Sequence, residues 1–509
     1  MVELTERPFP PGRYPIVIVG SGPGALQLSY SLRHLGIEHA VLSQDDAPGG
    51  MFRRWPIFQR MLSWTKPYAE HDPGTREYER YDWNSLLGEE EESRAIMPRV
   101  MDGTSYFPSR PEMERGLVQF VDATRIRVRY GCRWESTRTE GDGFVLSTSD
   151  GEYETQVAVF AVGIAEPWRP PVLEVEGVQQ YGELHHADPE YYAGRRIFIV
   201  GKQNSGFEIA TGLLPWARQI VLASPGRTKL SVDTRTLVGV RARYVQPYED
   251  WALAGGVVIL EASIERVERH AEGYTVQTKS PADGSTMTFE VDDVIAATGF
   301  VSPLQDLPGL GVTTFGQSRL PVQTPHWESA SVPGIYFAGT IMQAAHGLRK
   351  HGIPSNSGAV QGYRYNARVL ARHLAESRFG VKTERPTLKA DEVVSLLLGE
   401  VSRGPELWHQ RSYLARVITF DADRGITDEG IQPLAHFLDT PGADAVGVAL
   451  EANGKDDPYP AIYVRAQGEI SEHLLAPHPL LAYDGAEYQR ELGAVLAKLL
   501  HGSLATPVQ

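Results

Sequence analysis

Two glycine clusters carry the first chemistry legible in this chain. Gly20-Ser21-Gly22-Pro23-Gly24-Ala25 follows directly on the apolar run 15–19, and Gly201-Lys202-Gln203-Asn204-Ser205-Gly206 follows the apolar run 197–200. A glycine turn between a buried strand and a helix lets the backbone approach a diphosphate closely. A small third residue lets the helix settle on the strand, and the helix N-terminus supplies unpaired N–H donors. Gly20, Gly22, Gly24 and Ala25 therefore read as one pyrophosphate cradle, and Gly201, Ser205 and Gly206 as a second. Gln203 stands where the middle glycine of the second cradle is expected, so its side chain would either crowd a pyrophosphate or hydrogen-bond to it. Asn204 beside it is the other polar candidate for an active site.

The elements that must position these residues follow from periodicity. Leu28, Leu32 and Leu35 recur at i, i+4 and i+7 before Gly36, and a β-rich run resumes at 39–42, so residues 15–42 have the dimensions of a strand–helix–strand unit with buried strands. Around the second cluster the same grammar returns, with Ile209 and Leu213 on a helix that Pro215 stops before the run 220–222. Two further apolar strands, 157–163 and 294–299, each run into glycine before a proline-bearing loop, and they place Thr298 and Gly299 at the mouth of the second unit. Ser43 and Gln44, at the end of the second strand, hold the place of a ribose contact, with Asp45 and Asp46 just beyond. Arg227 and Lys229 occupy the corresponding place in the second unit, where cations would read a 2′-phosphate; a solvated basic turn is the other reading.

At 509 residues the chain has room for about three domains, and 49 Lys+Arg against 64 Asp+Glu give a net charge of −15. That balance argues against nucleic acid or anionic lipid as a partner. Cys132 is the one cysteine, which excludes an intramolecular disulfide, a paired-thiol redox centre and a thiolate-rich zinc site, and points to a reducing, cytoplasmic setting. No apolar run approaches the roughly 18 residues of a membrane span, so a soluble protein is expected. The acidic run Glu89-Glu90-Glu91-Glu92 reads as a solvated face. From 386 to 509 amphipathic segments bracket β-like runs at 445–450 and 461–464, the pattern of an α+β C-terminal domain of unassigned role.

With Gly49-Gly50-Met51-Phe52-Arg53-Arg54-Trp55 and Gly334-Ile335-Tyr336-Phe337-Ala338-Gly339-Thr340, the first glycine cluster resembles the flavoproteins that carry two dinucleotide-binding domains. Gly182 and His186 also match a fingerprint of the class B flavin-dependent monooxygenases, which include flavin-containing, N-hydroxylating and Baeyer–Villiger enzymes. The resemblance implies an α/β protein with two Rossmann-like domains. An FAD-binding domain would comprise 1–170 and 325–385, and an NADPH-binding domain 171–324. It implies flavin contacts at Gly50, Met51, Trp55, Gly339, Thr340, Asn356, Ser357 and Gly358, with the helix after Gly358 turning its positive end to the flavin. Trp64-Thr65-Lys66-Pro67 lies where flavin-containing relatives place a flavin-facing asparagine; Lys66 would there stabilise a peroxide anion or bind a substrate carboxylate. Two adjacent histidines, His185 and His186, with Asp188 do not make a metal site, because neighbours on a strand face opposite ways.

The activity implied is an FAD- and NADPH-dependent monooxygenase acting through a flavin C4a-(hydro)peroxide on O2 and a small soluble substrate, with N-hydroxylation of an amine or amino acid as the first choice. Baeyer–Villiger or S-oxygenation, a flavin oxidoreductase without oxygen insertion, and a redox-sensing flavoprotein are the alternatives. A homo-oligomer is compatible with all of them.

Overall fold

The computed structural model describes residues 7–56, 60–184, 189–234 and 238–504. Strand β1 (Gly12–Val19), helix α1 (Pro23–His34) and strand β2 (His39–Leu42) form the first strand–helix–strand unit. The two strands run parallel, pairing Ile16 with His39 through Val19 with Leu42. Ile16, Val17 and Ile18 are fully buried, as a strand covered on both faces requires. Helix α2 (Arg110–Thr124) opens with a capping box between Ser109 and Glu112, which satisfies its first N–H donors. Strands β3 (Trp134–Glu140), β4 (Gly143–Thr148) and β5 (Gly151–Phe160) complete the sheet in the order β2-β1-β5-β4-β3.

The second unit repeats the plan. Strand β6 (Arg196–Val200), helix α3 (Asn204–Leu213) and strand β7 (Gln219–Ser224) are followed by β8 (Val257–Glu261). An antiparallel meander, β9 (Ser263–His270), β10 (Gly273–Lys279) and β11 (Thr286–Val291), leads back into β12 (Asp293–Ala296), giving the parallel order β8-β7-β6-β12 with Gln179–Gln180 at the edge. Strand β13 (Ile335–Phe337) then returns to the first sheet beside the C-terminal half of β5, so the first unit is closed by residues far downstream. Helix α4 (Val360–Phe379) packs against α1.

The last part contains helix α5 (Ala390–Arg403), helix α6 (Pro405–His409) and an antiparallel sheet of β14 (Leu414–Asp421), β15 (Gly425–Pro433), β16 (Asp444–Glu451), β17 (Tyr459–Ala466) and β18 (Glu469–Leu474), before helix α7 (Ala486–Leu504). Its strand order is β15-β14-β16-β17-β18, with Thr387–Leu388 outside β15. One hydrophobic cluster runs from Ile16 and Leu28 through Leu370 and Leu374 to Leu397, Ile418, Val448 and Leu492. The C-terminal segment therefore shares its core with the first unit. The acidic run Glu89-Glu90-Glu91-Glu92 is exposed, yet Glu90 accepts from Tyr30 Oη at 2.8 Å and pairs with His34; the Tyr30 hydroxyl leads the contacts that outweigh burial and hold its carboxyl down at about 2.

Candidate functional site

The turn after β1 is forced by glycine at two positions. Gly20 has φ +120°, and a Cβ there would lie 2.5 Å from the Ala161 carbonyl oxygen. At Gly24 a Cβ would fall inside the backbone of Gly339, so α1 and the segment after β13 meet through two glycines. Gly22 has open space where a Cβ would be, and Ala25 is buried against the sheet. The bare first turn of α1 thus faces a cavity of about 1290 Å³, larger than the roughly 300–1,000 Å³ usual for ligand sites.

This cavity gathers segments from the whole chain. Gly20, Gly22, Gly24, Ser43, Gln44, Gly50, Met51, Trp55, Gly339, Thr340, Asn356 and Gly358 line it on one side, and Asn204 and Ser205 at the start of α3 line it on the other. Asp45 also lines it, packed beside Gly50. Ser43 Oγ lies 2.8 Å from Ser21 Oγ, fixing the end of β2 to the glycine turn. Two buried polar atoms in the wall, Trp55 Nε1 and Gln361 Oε1, have no hydrogen-bond partner among the described residues. Buried polar atoms are rarely left so, and these two suit a ligand with donors and acceptors.

Other expected residues lie elsewhere. Lys66 is exposed and outside the cavity lining, and its backbone N–H donates to Tyr81 O at 2.8 Å. Gln203 is an exposed residue capping α3 through its backbone conformation, without a side-chain cap bond. Gly201 and Gly206 sit behind the lining, where a Cβ on Gly206 would collide with Gly201 O. Thr298 donates to Trp168 O and Gly299 O accepts from Trp168 N at 2.9 Å; the pair fastens a crossing between the two units. Ser357 is buried and accepts from Asn366 Nδ2 and Gln410 Nε2, both at 2.9 Å. Arg227 and Lys229 are exposed, and Arg227 faces Glu261 at 3.8 Å. His185, His186, Ala187 and Asp188 lie outside the described residues.

Arg241, in the loop after Arg227 and Lys229, does line the cavity. Backbone pairing of Lys229 with Val240 folds the loop back (Val240 N to Lys229 O, 2.8 Å), and Asn204 clamps it, donating to Gly239 O at 2.9 Å and accepting from Arg241 N at 3.0 Å. Burial holds the Arg241 guanidinium below its ordinary value. One helical turn along α3, Glu208 lines the cavity, 8% exposed. Burial pushes its carboxyl up to about 7, while hydroxyls of Tyr244 and Tyr181 donate to it and pull the other way. A carboxyl that titrates near neutrality inside a cleft is suited to proton transfer.

The C-terminal segment supplies the remaining wall with Trp408, His409, Arg411 and Ala452. Asn356 donates from Nδ2 to His409 O at 2.6 Å, and its own N–H donates to Gln410 Oε1 at 3.0 Å, locking the start of α4 to the end of α6.

Residues 17–339 match the family described as pyridine nucleotide-disulphide oxidoreductase. This chain belongs to that family. The mouse FAD-dependent oxidoreductase domain-containing protein 2 is 25% identical over 440 residues, covering 79% of this chain, which spans 64% of the mouse protein's length. Among solved structures, bacillithiol disulfide reductase from Bacillus cereus (19% identity, TM-score 0.56) and ornithine N-hydroxylase from Kutzneria sp. 744 (16%, 0.54) share the fold over 72% of this chain and 100% of theirs. The family's name refers to a disulfide, but this member carries one sulfhydryl, Cys132. It is buried in the cavity wall, and burial pushes its thiol up, away from the reactive thiolate. No helix among the described residues is long and apolar enough to cross a membrane.

Sequence reasoning missed Arg241, Glu208, Gln361, Trp408, His409 and Arg411. Glu208 left a signal, a carboxylate four residues after Asn204 amid Phe207, Ile209 and Ala210 on one helix. The C-terminal three left none, because long-range packing alone brings them to the cavity.

Proposed function

We propose that the protein is an FAD- and NADPH-dependent monooxygenase that places one oxygen atom of O2 on a small substrate, with N-hydroxylation of an amine or amino acid as the favoured reaction. The observation carrying this reading is that both glycine turns open on one cavity, roofed by a third segment, in a chain without a thiol pair to receive electrons. The mouse relative's name supports FAD, and the fit of the cavity to a dinucleotide supports it further. FAD, when bound, supplies hydride acceptance from NADPH and the activation of O2, one oxygen atom going to the substrate and the other leaving as water.

The chain's own residues then have distinct tasks. Gly22 and the first turn of α1 hold the pyrophosphate, Asp45 and Ser43 face the ribose, and Trp55 Nε1 and Gln361 Oε1 meet polar groups of the cofactor. Asn204 holds Arg241 against the second unit's cradle, where Arg241 rather than Arg227 or Lys229 binds nucleotide phosphate. Glu208 holds a proton near neutral pH beside that nucleotide. Trp408 and His409 exclude water from the far wall, a condition for oxygen transfer without loss to peroxide.

The test measures NADPH consumed, hydrogen peroxide released and oxygenated product formed by the purified holoenzyme with a panel of amines, amino acids, sulfides and ketones. Product matching NADPH for any of them supports the reading. Quantitative peroxide with every substrate class, or electron delivery to a one-electron protein acceptor instead, overturns it in favour of an oxidoreductase without oxygen insertion.

A further inference from the structure

Arg411 lines the cavity yet makes no hydrogen bond and no ion pair among the described residues. Its guanidinium stacks on the ring of Trp408, 4.7 Å from the centroid, and Arg80 lies 4.7 Å from the same centroid. The charge that bears on it is another cation, Arg80, which donates to Ser402 O at 2.6 Å. Burial and the repulsion of Arg80 both disfavour the charged form of Arg411. His409 beside it offers no countercharge. It is buried, its Nε2 lies 3.0 Å from Glu79 O, and burial holds it neutral.

The chain nonetheless fixes Arg411 in place. The next residue, Ser412, has φ +58°, in the left-handed region that a serine adopts only under constraint. Its N–H donates to Leu450 O at 2.9 Å, and its hydroxyl donates to the fully buried Glu451, which also accepts from Tyr463 Oη at 2.9 Å. Two arginines that meet carboxylates of this segment are matched to them: Arg76 to Glu400 and Glu406, and Arg416 to Glu400 and Asp428. A half-buried cation left unmatched on a cavity wall is costly unless a ligand supplies the negative charge.

We infer that Arg411, backed by Trp408, is the recognition site for a carboxylate on the substrate, so that the oxygenated molecule is an amino acid or another small organic acid rather than a simple amine. Arg411 is the cation that the C-terminal wall turns to the cavity, and its planar guanidinium fork takes a carboxylate through two parallel hydrogen bonds. The inference rests on the oxygenase reading for the word substrate, but the anion site itself is independent of what happens to oxygen.

The experiment is equilibrium binding to the oxidised holoenzyme, followed by perturbation of the flavin spectrum. The probes are acetate, butyrate, benzoate and glycine, their amide counterparts, and inorganic phosphate. Wild-type protein is expected to bind at least one carboxylate saturably and at least tenfold more tightly than its amide. Arg411→Met should lose that preference, and Arg411→Lys should retain part of it, both with flavin content and melting temperature unchanged. The inference is overturned if Arg411→Met binds carboxylates like the wild type, if no carboxylate outbinds its amide, if phosphate outbinds all carboxylates, or if Arg411→Met sheds its flavin, which would assign the cation to the cofactor. Because no turnover is measured, failure of oxygen insertion and failure of the anion site are separately visible.

Discussion

Glu208 is the residue whose environment makes the sharpest demand on behaviour. Its folded value of about 7 lies above the ordinary carboxyl value, so native protein holds this proton through mildly acidic pH and releases it as pH rises through 7. A kcat/KM profile for NADPH is expected to show an inflection near pH 7 that Glu208→Gln removes, with Tyr244 and Tyr181 still packed; an unchanged profile would exclude Glu208 from the proton path. Gly24 makes a steric demand instead. A methyl group there meets the Gly339 backbone, which cannot yield as a side-chain tip can, so Gly24→Ala should cost about 1–3 kcal/mol. Chemical denaturation and flavin content of the purified variant check this, and Gly22→Ala, with open space around it, is the stable control that loses flavin alone. The difference between these glycines was invisible in the sequence, where Gly22 and Gly24 are two small residues in one motif. Their type and spacing were enough to mark the cradle, whereas Arg241 was not singled out, because only the loop folding back over Asn204 brings it to the cavity.

The elements that pattern alone revealed are those whose burial is decided locally. Buried strands β1, β6 and β12 and helices α1 and α3 carry their own periodicity, and the glycine turns mark their junctions. The stretch between 56 and 110 has no such rhythm, because it is held by partners hundreds of residues away. Arg364 is fully buried, donating to Ser85 O at 2.7 Å and Glu79 O at 2.9 Å. Arg76 pairs with Glu400, and with Glu406 at 2.6 Å, both carboxylates nearly inaccessible. Arg76→Ala would leave two buried carboxylates with only Arg416 and Arg368 beside them. Removing one partner of a buried pair costs about 3–5 kcal/mol, and the half-exposed arginine end and the surviving cations bring the expected loss to roughly 2–3 kcal/mol by the same reasoning. Urea titration measures it. Arg76→Lys, which keeps the charge but not the fork, should recover less than half.

Across the whole molecule, the C-terminal segment is welded to the first unit by more than apolar area. His326 from the loop before β13, His373 on α4 and His436 from the helix Leu434–Asp439 meet where the two parts join, with ring centroids 3.9 Å apart for His326 and His373 and 4.5 Å for His326 and His436. Burial leads in holding His326 down at about 2, with the closeness of His373, His436 and Arg372 opposing a charge there; burial leads in holding His373 at about 4, with Glu328 pulling the other way. Arg372 and Arg378 add positive charge on α4 and Arg465 faces His436, against the carboxylates Glu328, Glu376 and Asp439. Both folded values lie below the ordinary 6.5, so the unfolded chain takes up protons first and stability falls as pH drops below about 6.5. Each histidine kept neutral steepens that loss by up to about 1.4 kcal/mol per pH unit. Between pH 7 and 5, before carboxylates protonate in bulk, the melting temperature of the holoenzyme should fall, and His326→Gln with His373→Gln should flatten the fall. Because the core is continuous across this junction, flavin fluorescence and far-ultraviolet dichroism should report one transition throughout. Two separated transitions at pH 5 in the wild type would mean that the C-terminal segment unfolds by itself, and that the cavity wall it contributes opens before the flavin site melts.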